Sequence, residues 1–301
     1  MPNRGCIPYQ SWPTRIHTIM KNKWSNGKEH LEPMSTQVKE IRRLCWNGSV
    51  NVQVVLDQSL SLEGLSVEER TLLFKLNRNS YIMCYFDGII AKFSNLIKNK
   101  EFAKQTEKWG FLLTDHQDSP LPWNYPLGVL FDTYGEHVKK YEANMIQTFN
   151  LKLVHNDIVT FKNFLPLYDG LKQVRLYWMH QWKQACYIMH GSAKRVMSLT
   201  VQEVDLFWEA CFNGISENYE KTSTKIVNYS KRIPLRICSP TQIMQPVCTS
   251  ETVLRKLLLQ ELNAECETVI IQGVEISTLH LVRDLYTRFA SFDGFLYIIL
   301  I

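Results

Sequence analysis

Val50-Asn-Val-Gln-Val-Val-Leu56 decides the fold that is predicted for the first half of the chain. Its apolar residues stand at every second position and alternate with Asn51 and Gln53. Because successive side chains of a strand point to opposite faces, this alternation predicts a strand with one buried face. Leu72–Leu76, which follows a loop through Gly64, is the expected antiparallel partner.

The pattern continues outward from this hairpin. Tyr81–Ile97 has apolar residues at three- and four-residue spacing, which is typical of a helix with one buried face. Phe111–Leu113 and Asn150–Val154 are expected strands. A second helix is expected after Pro126, which suits a first turn, with Asn124 near its cap. Strand, strand, helix, strand, helix, strand is the plan of the ubiquitin-like β-grasp fold.

The same order of elements recurs at the C-terminal end of the chain. The expected strands are Ile233–Cys238, Gln242–Cys248, Val269–Ile271 and Phe295–Ile301, and the expected helices are Val253–Leu262, capped by Ser250 or Thr252, and Thr278–Phe289. Between the two copies no strand pattern is found. Leu171–Met189 predicts a long helix, and Thr200-Val-Gln-Glu203 is typical of a capping box that opens another.

The predicted fold class is α+β, with two ubiquitin-like β-grasp domains flanking a helix-rich domain. The predicted divisions are an N-terminal helix at 34–48, a first ubiquitin-like domain at 49–157, a helix-rich domain at 158–228 and a second ubiquitin-like domain at 229–301. Residues 1–33 contain four prolines, and we expect a disordered extension there, or residues upstream of a natural start at Met34. A targeting presequence is the alternative.

Composition places the chain among folded globular proteins. Of its 301 residues 45% are hydrophobic and 12% aromatic, far from the composition of disordered chains. A formal net charge of +5 permits contact with anionic lipid. The sequence has no dense stripe of lysine and arginine of the kind that nucleic-acid-binding proteins carry. The length allows two or three domains, each with its own core. No apolar run approaches the ~18 residues that a membrane-spanning helix needs.

Motifs for a catalytic or metal site are missing from the sequence. The eight cysteines stand singly in apolar surroundings, without the close pairs of zinc sites, and are expected to be reduced core thiols. There is no glycine-rich phosphate loop and no paired-carboxylate motif. We therefore expect no cofactor, no metal and no catalytic residue.

Three stretches carry a resemblance to a known family. They are Pro120-Leu-Pro-Trp-Asn-Tyr-Pro-Leu-Gly128, Tyr177-Trp-Met-His-Gln-Trp-Lys-Gln-Ala-Cys186 and Ser291-Phe-Asp-Gly-Phe-Leu-Tyr297. Through them the chain resembles the autophagy-related protein five family of budding yeasts, over residues 38–301. The resemblance extends to all three predicted domains.

The resemblance implies a function and its partners. Lys183 would accept an isopeptide bond to the C-terminal glycine of the ubiquitin-like autophagy-related protein twelve, which the conjugating enzymes of the system install. The N-terminal helix of autophagy-related protein sixteen would dock on the three domains. The assembly would promote lipidation of autophagy-related protein eight with phosphatidylethanolamine, from the cytoplasm and peripherally on the preautophagosomal structure or isolation membrane. Lys194 and Arg195, in an inter-helix loop, would face that membrane.

The residues around Lys183 agree with such a role without requiring it. No carboxylate lies within one helical turn on either side, so nothing local would hold the ammonium group in an ion pair. The ordinary alternative is a solvated lysine whose stem lies along tryptophan rings. Trp178 and Trp182, four residues apart, are expected in the core or between domains.

Two other function classes stay open. One is a non-covalent adaptor whose ubiquitin-like domains bind helices without being modified. The other is an enzyme with a cysteine nucleophile. His180 and Cys186 do not form its base and thiol, because six residues at about 100° each leave them about 120° apart around a helix. For Lys194 and Arg195 the alternative is a solvated loop.

Overall fold

The computed structural model describes residues 36–135, 147–157, 166–227 and 231–300. The strands are β1 Ser49–Leu56, β2 Thr71–Asn77, β3 Trp109–Leu113, β4 Ser119–Pro120, β5 Thr148–His155, β6 Leu235–Cys238, β7 Ile243–Met244, β8 Thr268–Ile271, β9 Val274–Ser277 and β10 Leu296–Ile299. The α-helices are α1 Thr36–Trp46, α2 Phe86–Phe93, α3 Leu127–Tyr134, α4 Leu171–His190, α5 Lys194–Met197, α6 Val201–Asn213, α7 Ser216–Ile226, α8 Leu254–Leu262 and α9 Val282–Phe289. The extension expected at 1–33 lies outside the described residues.

Two five-stranded sheets have the same topology. The first has the order β2-β1-β5-β3-β4 and the second the order β7-β6-β10-β8-β9. In each, the first and last strands of the module lie parallel at the centre, with Val54 opposite Leu151 in one and Ile237 opposite Ile298 in the other. This central parallel pair confirms the prediction of two ubiquitin-like β-grasp domains flanking a helical region.

A short strand in each module escaped prediction. β4 has two residues, one of them a proline, and β9 pairs with β8 across the turn Gln272-Gly273. Both turn residues have positive φ, 53° and 75°, as a tight two-residue hairpin requires. The alternation Val274-Glu-Ile-Ser277 was the signal for β9.

Several predicted elements are shorter in the structure. The helix expected at Tyr81–Ile97 is a 3₁₀ turn, Ile82–Tyr85, followed by α2. The helix expected from Thr278 begins at Val282, and the strand expected at 242–248 is limited to Ile243–Met244. Pro246 has no backbone N–H to continue β7, which explains that early end.

The capping predictions succeeded in one place and failed in two. The capping box of α6 is present, with the Glu203 amide donating to the Thr200 hydroxyl at 3.2 Å. At α3, however, Asn124 does not cap, and the helix begins after Pro126. The Leu127 amide instead donates to the Ser80 carbonyl at 2.8 Å.

The first helix of the second module uses the same device. Neither Ser250 nor Thr252 caps α8, whose preceding residue is Val253. The Leu254 amide donates to the His280 carbonyl at 2.9 Å, and the Arg255 amide donates to the Thr278 carbonyl at 2.8 Å. Carbonyls from a distant segment satisfy these helix amides, so no side-chain cap is needed.

One apolar cluster runs through both sheets and the helical region. The apolar interiors of the two modules and of the helical region are therefore in contact with one another across the domain boundaries. Polar contacts add to the joint between the two modules, since the Gly273 amide of the β8–β9 turn donates to the Asp132 carboxylate at 2.8 Å. That carboxylate is itself buried in an ion pair with Arg78.

Candidate acceptor site

Helix α4 forms the candidate site. It starts after Gly170 and ends at Gly191, both with positive φ (53° and 70°), and the Gly191 amide donates to the Tyr187 carbonyl at 2.7 Å. A glycine in the left-handed conformation is the usual end of a helix, because it alone has no Cβ to strain there. Its 20 residues include no aspartate or glutamate.

The inner face of α4 is fixed by two indoles. Trp178 and Trp182 are fully buried, and each donates its N–H to the carbonyl of Phe292 at 3.0 Å. One carbonyl has two lone pairs and can accept both bonds. The ring of Phe207, from α6, packs against both indoles, with centroids 4.8 and 5.2 Å away. This confirms that the two tryptophans lie in the core and between domains.

The segment that receives the indoles is Ser291–Tyr297 of the second module. Gly294 has φ of 86°, and a Cβ there would lie 3.0 Å from the Trp182 ring, so the position requires glycine. The Tyr286 hydroxyl donates to the Gly294 carbonyl at 3.0 Å, and the Tyr219 hydroxyl donates to that of Ser291 at 3.1 Å. The helical region and the second module are thus joined at one turn of backbone.

Asp293 is a fully buried carboxylate in the same segment. Burial raises its pKa, while Arg236, the Tyr297 hydroxyl at 2.7 Å and the Phe295 amide at 3.3 Å favour the charged form. Arg236 lies over the Phe295 ring at 3.8 Å and donates to Gln181 of α4 at 2.6 Å. Arg236 thus links the surroundings of this buried carboxylate to helix α4.

The role of the Ser291–Tyr297 stretch was not predicted from the sequence. A buried aspartate between two phenylalanines was the available signal, because a buried carboxylate needs partners from elsewhere in the chain. Tyr81 of the first module also packs against this segment, with its ring centroid 4.8 Å from that of Phe292. All three regions therefore meet at this segment.

Lys183 lies on the other side of α4, half-buried. Among the residues that the structure describes, its ammonium group has neither an ion pair nor a hydrogen-bond partner. Arg175, two turns earlier, is paired with Asp205 of α6. The amine is thus presented from a rigid helix without a competing charge.

Lys194 and Arg195 are not in a loop, as was expected. They begin the one-turn helix α5, Lys194–Met197, directly after the end of α4. Lys194 is exposed and Arg195 half-buried. Met197, at 71% exposure, adds an apolar side chain to the same turn.

Burial makes several of the described thiols poor nucleophiles. Burial raises the pKa of Cys45, Cys84 and Cys238 to about 12 and that of Cys248 to about 11. A reactive cysteine needs a lowered pKa. Cys186 is buried and donates to the Ser192 carbonyl at 3.3 Å, while His180 is exposed, so the two do not meet.

The part of the chain that the structure describes holds neither a metal-binding cluster nor a membrane-spanning helix. No group of three or more histidine, cysteine, aspartate or glutamate side chains in that part of the chain could hold a metal ion. No helix within it is long and apolar enough to cross a membrane.

Comparison with protein families matches all three regions. The models of the autophagy protein ATG5 UblA domain, alpha-helical bundle region and UblB domain match residues 45–155, 171–229 and 230–300. Autophagy-related protein 5 of Kluyveromyces marxianus is 32% identical over 274 residues, which cover 87% of this chain and 99% of that protein. Autophagy protein 5 of Saccharomyces cerevisiae is 32% identical over 286 residues, covering 88% and 96%.

A solved structure agrees with the sequence comparison. The crystal structure of Kluyveromyces marxianus Atg5 superposes with a TM-score of 0.77 at 31% identity, over 87% of this chain and 99% of that one. The two sheets, the helical bundle between them and the sequence identity all point the same way. The chain belongs to the autophagy protein 5 family.

Proposed function

We propose that the chain is the lysine acceptor of a ubiquitin-like modifier, autophagy-related protein twelve, and that Lys183 is the acceptor. The observation that carries the proposal is the placement of this amine. It stands on a helix whose opposite face is held by two buried indoles, and no described residue pairs with it.

Isopeptide bond formation requires little from the chain besides this amine. The Lys183 amine loses a proton and its nitrogen attacks the thioester carbonyl on the conjugating enzyme. The new amide bond forms as the carbon–sulfur bond breaks, and the thiolate stays on that enzyme. The chain supplies only the nucleophile, so we propose that it is not an enzyme by itself. The raised thiol pKa values support this.

The conjugate would then act as a scaffold. We propose that it binds the N-terminal helix of autophagy-related protein sixteen and acts like a ligase in the transfer of autophagy-related protein eight to phosphatidylethanolamine. A surface built from three packed domains suits an amphipathic helix. A non-covalent adaptor with the same helical partner is the second candidate, and Lys183 modification distinguishes the two.

Intact-mass analysis of the protein purified from growing cells tests the proposal. We expect part of the protein to carry an adduct of the modifier's size, and tryptic mapping to place it on the peptide that contains Lys183. The matched comparison is the peptide that contains Lys172, which lies on the same helix and is exposed. An adduct on another lysine, or none under autophagy-inducing conditions, would contradict the acceptor role.

Peripheral membrane contact at the isolation membrane is the remaining part of the proposed function. Lys194 and Arg195 place two cations beside the exposed Met197, a combination that favours an anionic lipid surface. The double variant Lys194→Glu/Arg195→Glu is expected to lower the affinity for liposomes containing anionic lipid, measured by flotation, at least about tenfold, since each basic residue near such a surface contributes about 1 kcal/mol. Lys100→Glu, an exposed site in the first module, is the control. Undiminished flotation of the double variant removes this contact.

A further inference from the structure

A stripe of exposed side chains surrounds Lys183 on α4. Leu176, His180, Lys183 and Tyr187 follow one another at spacings of four, three and four residues. At about 100° per residue they fall within about 60° of one another around the helix. Leu176 is 60% exposed and Tyr187 is 63% exposed, although both are large and apolar. We call these four residues the acceptor stripe.

The flanking residues lie at a useful distance from the amine. Leu176 and Tyr187 are 11 positions apart, which is about 16 Å along a helix, with Lys183 between them. Tyr187 also lines a cavity of about 170 Å³ between α4 and the second module, whose rim includes Val247 at 78% exposure. Exposed apolar groups beside a cavity, here Tyr187 and Val247, are typical of a protein-binding surface, and Leu176 adds an exposed apolar group on the other side of the amine.

We propose that Leu176 and Tyr187 determine specificity by docking the thioester-carrying conjugating enzyme, so that Lys183 attacks in preference to other lysines. This inference rests on the proposed acceptor function. The occupant follows from the chemistry: the attacking nitrogen must come within about 3–3.5 Å of the thioester carbonyl, so the enzyme has to cover the surface on both sides of the amine. The stripe is that surface.

Charge agrees with the same occupant. The 20 residues of α4 include Lys172, Arg175 and Lys183 and no carboxylate. Asp205 neutralises Arg175, which leaves a basic helix face toward the partner. An enzyme surface with acidic residues around an apolar contact would complement it.

Steady-state conjugation in a reconstituted system tests the inference. The probe is the conjugating enzyme of the same system, charged with the modifier, at varied concentrations. The double variant Leu176→Ala/Tyr187→Ala is expected to raise the half-saturating concentration of charged enzyme about tenfold or more, a typical loss on truncating two anchoring side chains. The saturating rate is expected to stay within about twofold, because the reacting amine is untouched.

The matched control is Leu73→Ala/Leu279→Ala, which removes two apolar side chains of 68% and 66% exposure away from α4. It is expected to behave like the wild type. An unchanged half-saturating concentration in the Leu176/Tyr187 variant, or a fall in the saturating rate alone, overturns the docking role. A wild-type chain that is not modified at Lys183 in the same assay instead refutes the acceptor function, so the two failures are distinguishable.

Discussion

Replacing Lys183 by arginine is expected to leave a folded protein that no longer forms the covalent conjugate. A guanidinium group stays protonated at any physiological pH, because its pKa lies above about 12, and it cannot serve as the nucleophile. Arginine keeps the charge and an apolar stem of similar length, so the half-buried position stays filled. The conjugate should fall at least about a hundredfold, because removing the nucleophile removes the reaction.

The measurement is a denaturing gel of cell extracts, in which the conjugate runs as a shifted band that survives heating and reductant. Lys172→Arg is the matched control, since Lys172 is exposed on the same helix. We expect it to retain the shifted band. A band of normal intensity in the Lys183→Arg variant would show that another amine is the acceptor.

Much of the fold follows from local patterns. The alternation at Val50–Leu56 predicted β1 almost to the residue, and the long helix predicted at Leu171–Met189 ends within one residue of the end of α4. These patterns succeed because each element buries one continuous face. The capping box at Thr200 was equally readable, since both of its partners lie within four residues.

The failures share one physical cause, which is that the decisive partner is distant in sequence. The first amides of α3 and α8 bond to carbonyls of Ser80 and His280, so a search for nearby capping side chains selected the wrong residues. β4 has only two residues, too few to show an alternation. The contact between the domain cores was also unpredictable, because local periodicity does not show which buried faces meet.

At the candidate site, too, local features could be predicted from the sequence, whereas contacts between distant residues could not. Lys183 was identified through resemblance, and its local sequence explains only why it has no ion pair. The burial of Trp178 and Trp182 was predicted from residue type. Their shared acceptor, the Phe292 carbonyl, lies 114 and 110 residues away from them, and only the fold brings it there.

Replacing Trp182 by alanine is expected to give the largest loss of stability of any substitution at the site. The indole is 1% exposed, contacts Phe207 and Tyr219, and closes over Gly294. Removing a buried tryptophan side chain typically lowers the free energy of unfolding by about 3–5 kcal/mol, because both the buried area and the packing around the new cavity are lost. The segment around Gly294 cannot move in to fill the space, since the Tyr286 hydroxyl and the buried Asp293 hold it.

Trp182→Phe separates the ring from its hydrogen bond. The Phe292 carbonyl would still accept a hydrogen bond from Trp178, so no buried acceptor is left without a donor. The free energy of unfolding is expected to fall by about 1–2 kcal/mol, which corresponds to the loss of one hydrogen bond and of part of the buried ring. Chemical denaturation of the three proteins, followed by tryptophan-independent far-ultraviolet circular dichroism, gives the comparison. Trp208→Ala, at a half-buried indole on α6, is the control for removing a tryptophan and should cost less. If the free energy of unfolding of Trp182→Ala lay within about 1 kcal/mol of the wild-type value, contacts other than these would hold α4. Emptying a well-packed core position rarely causes so small a loss of stability.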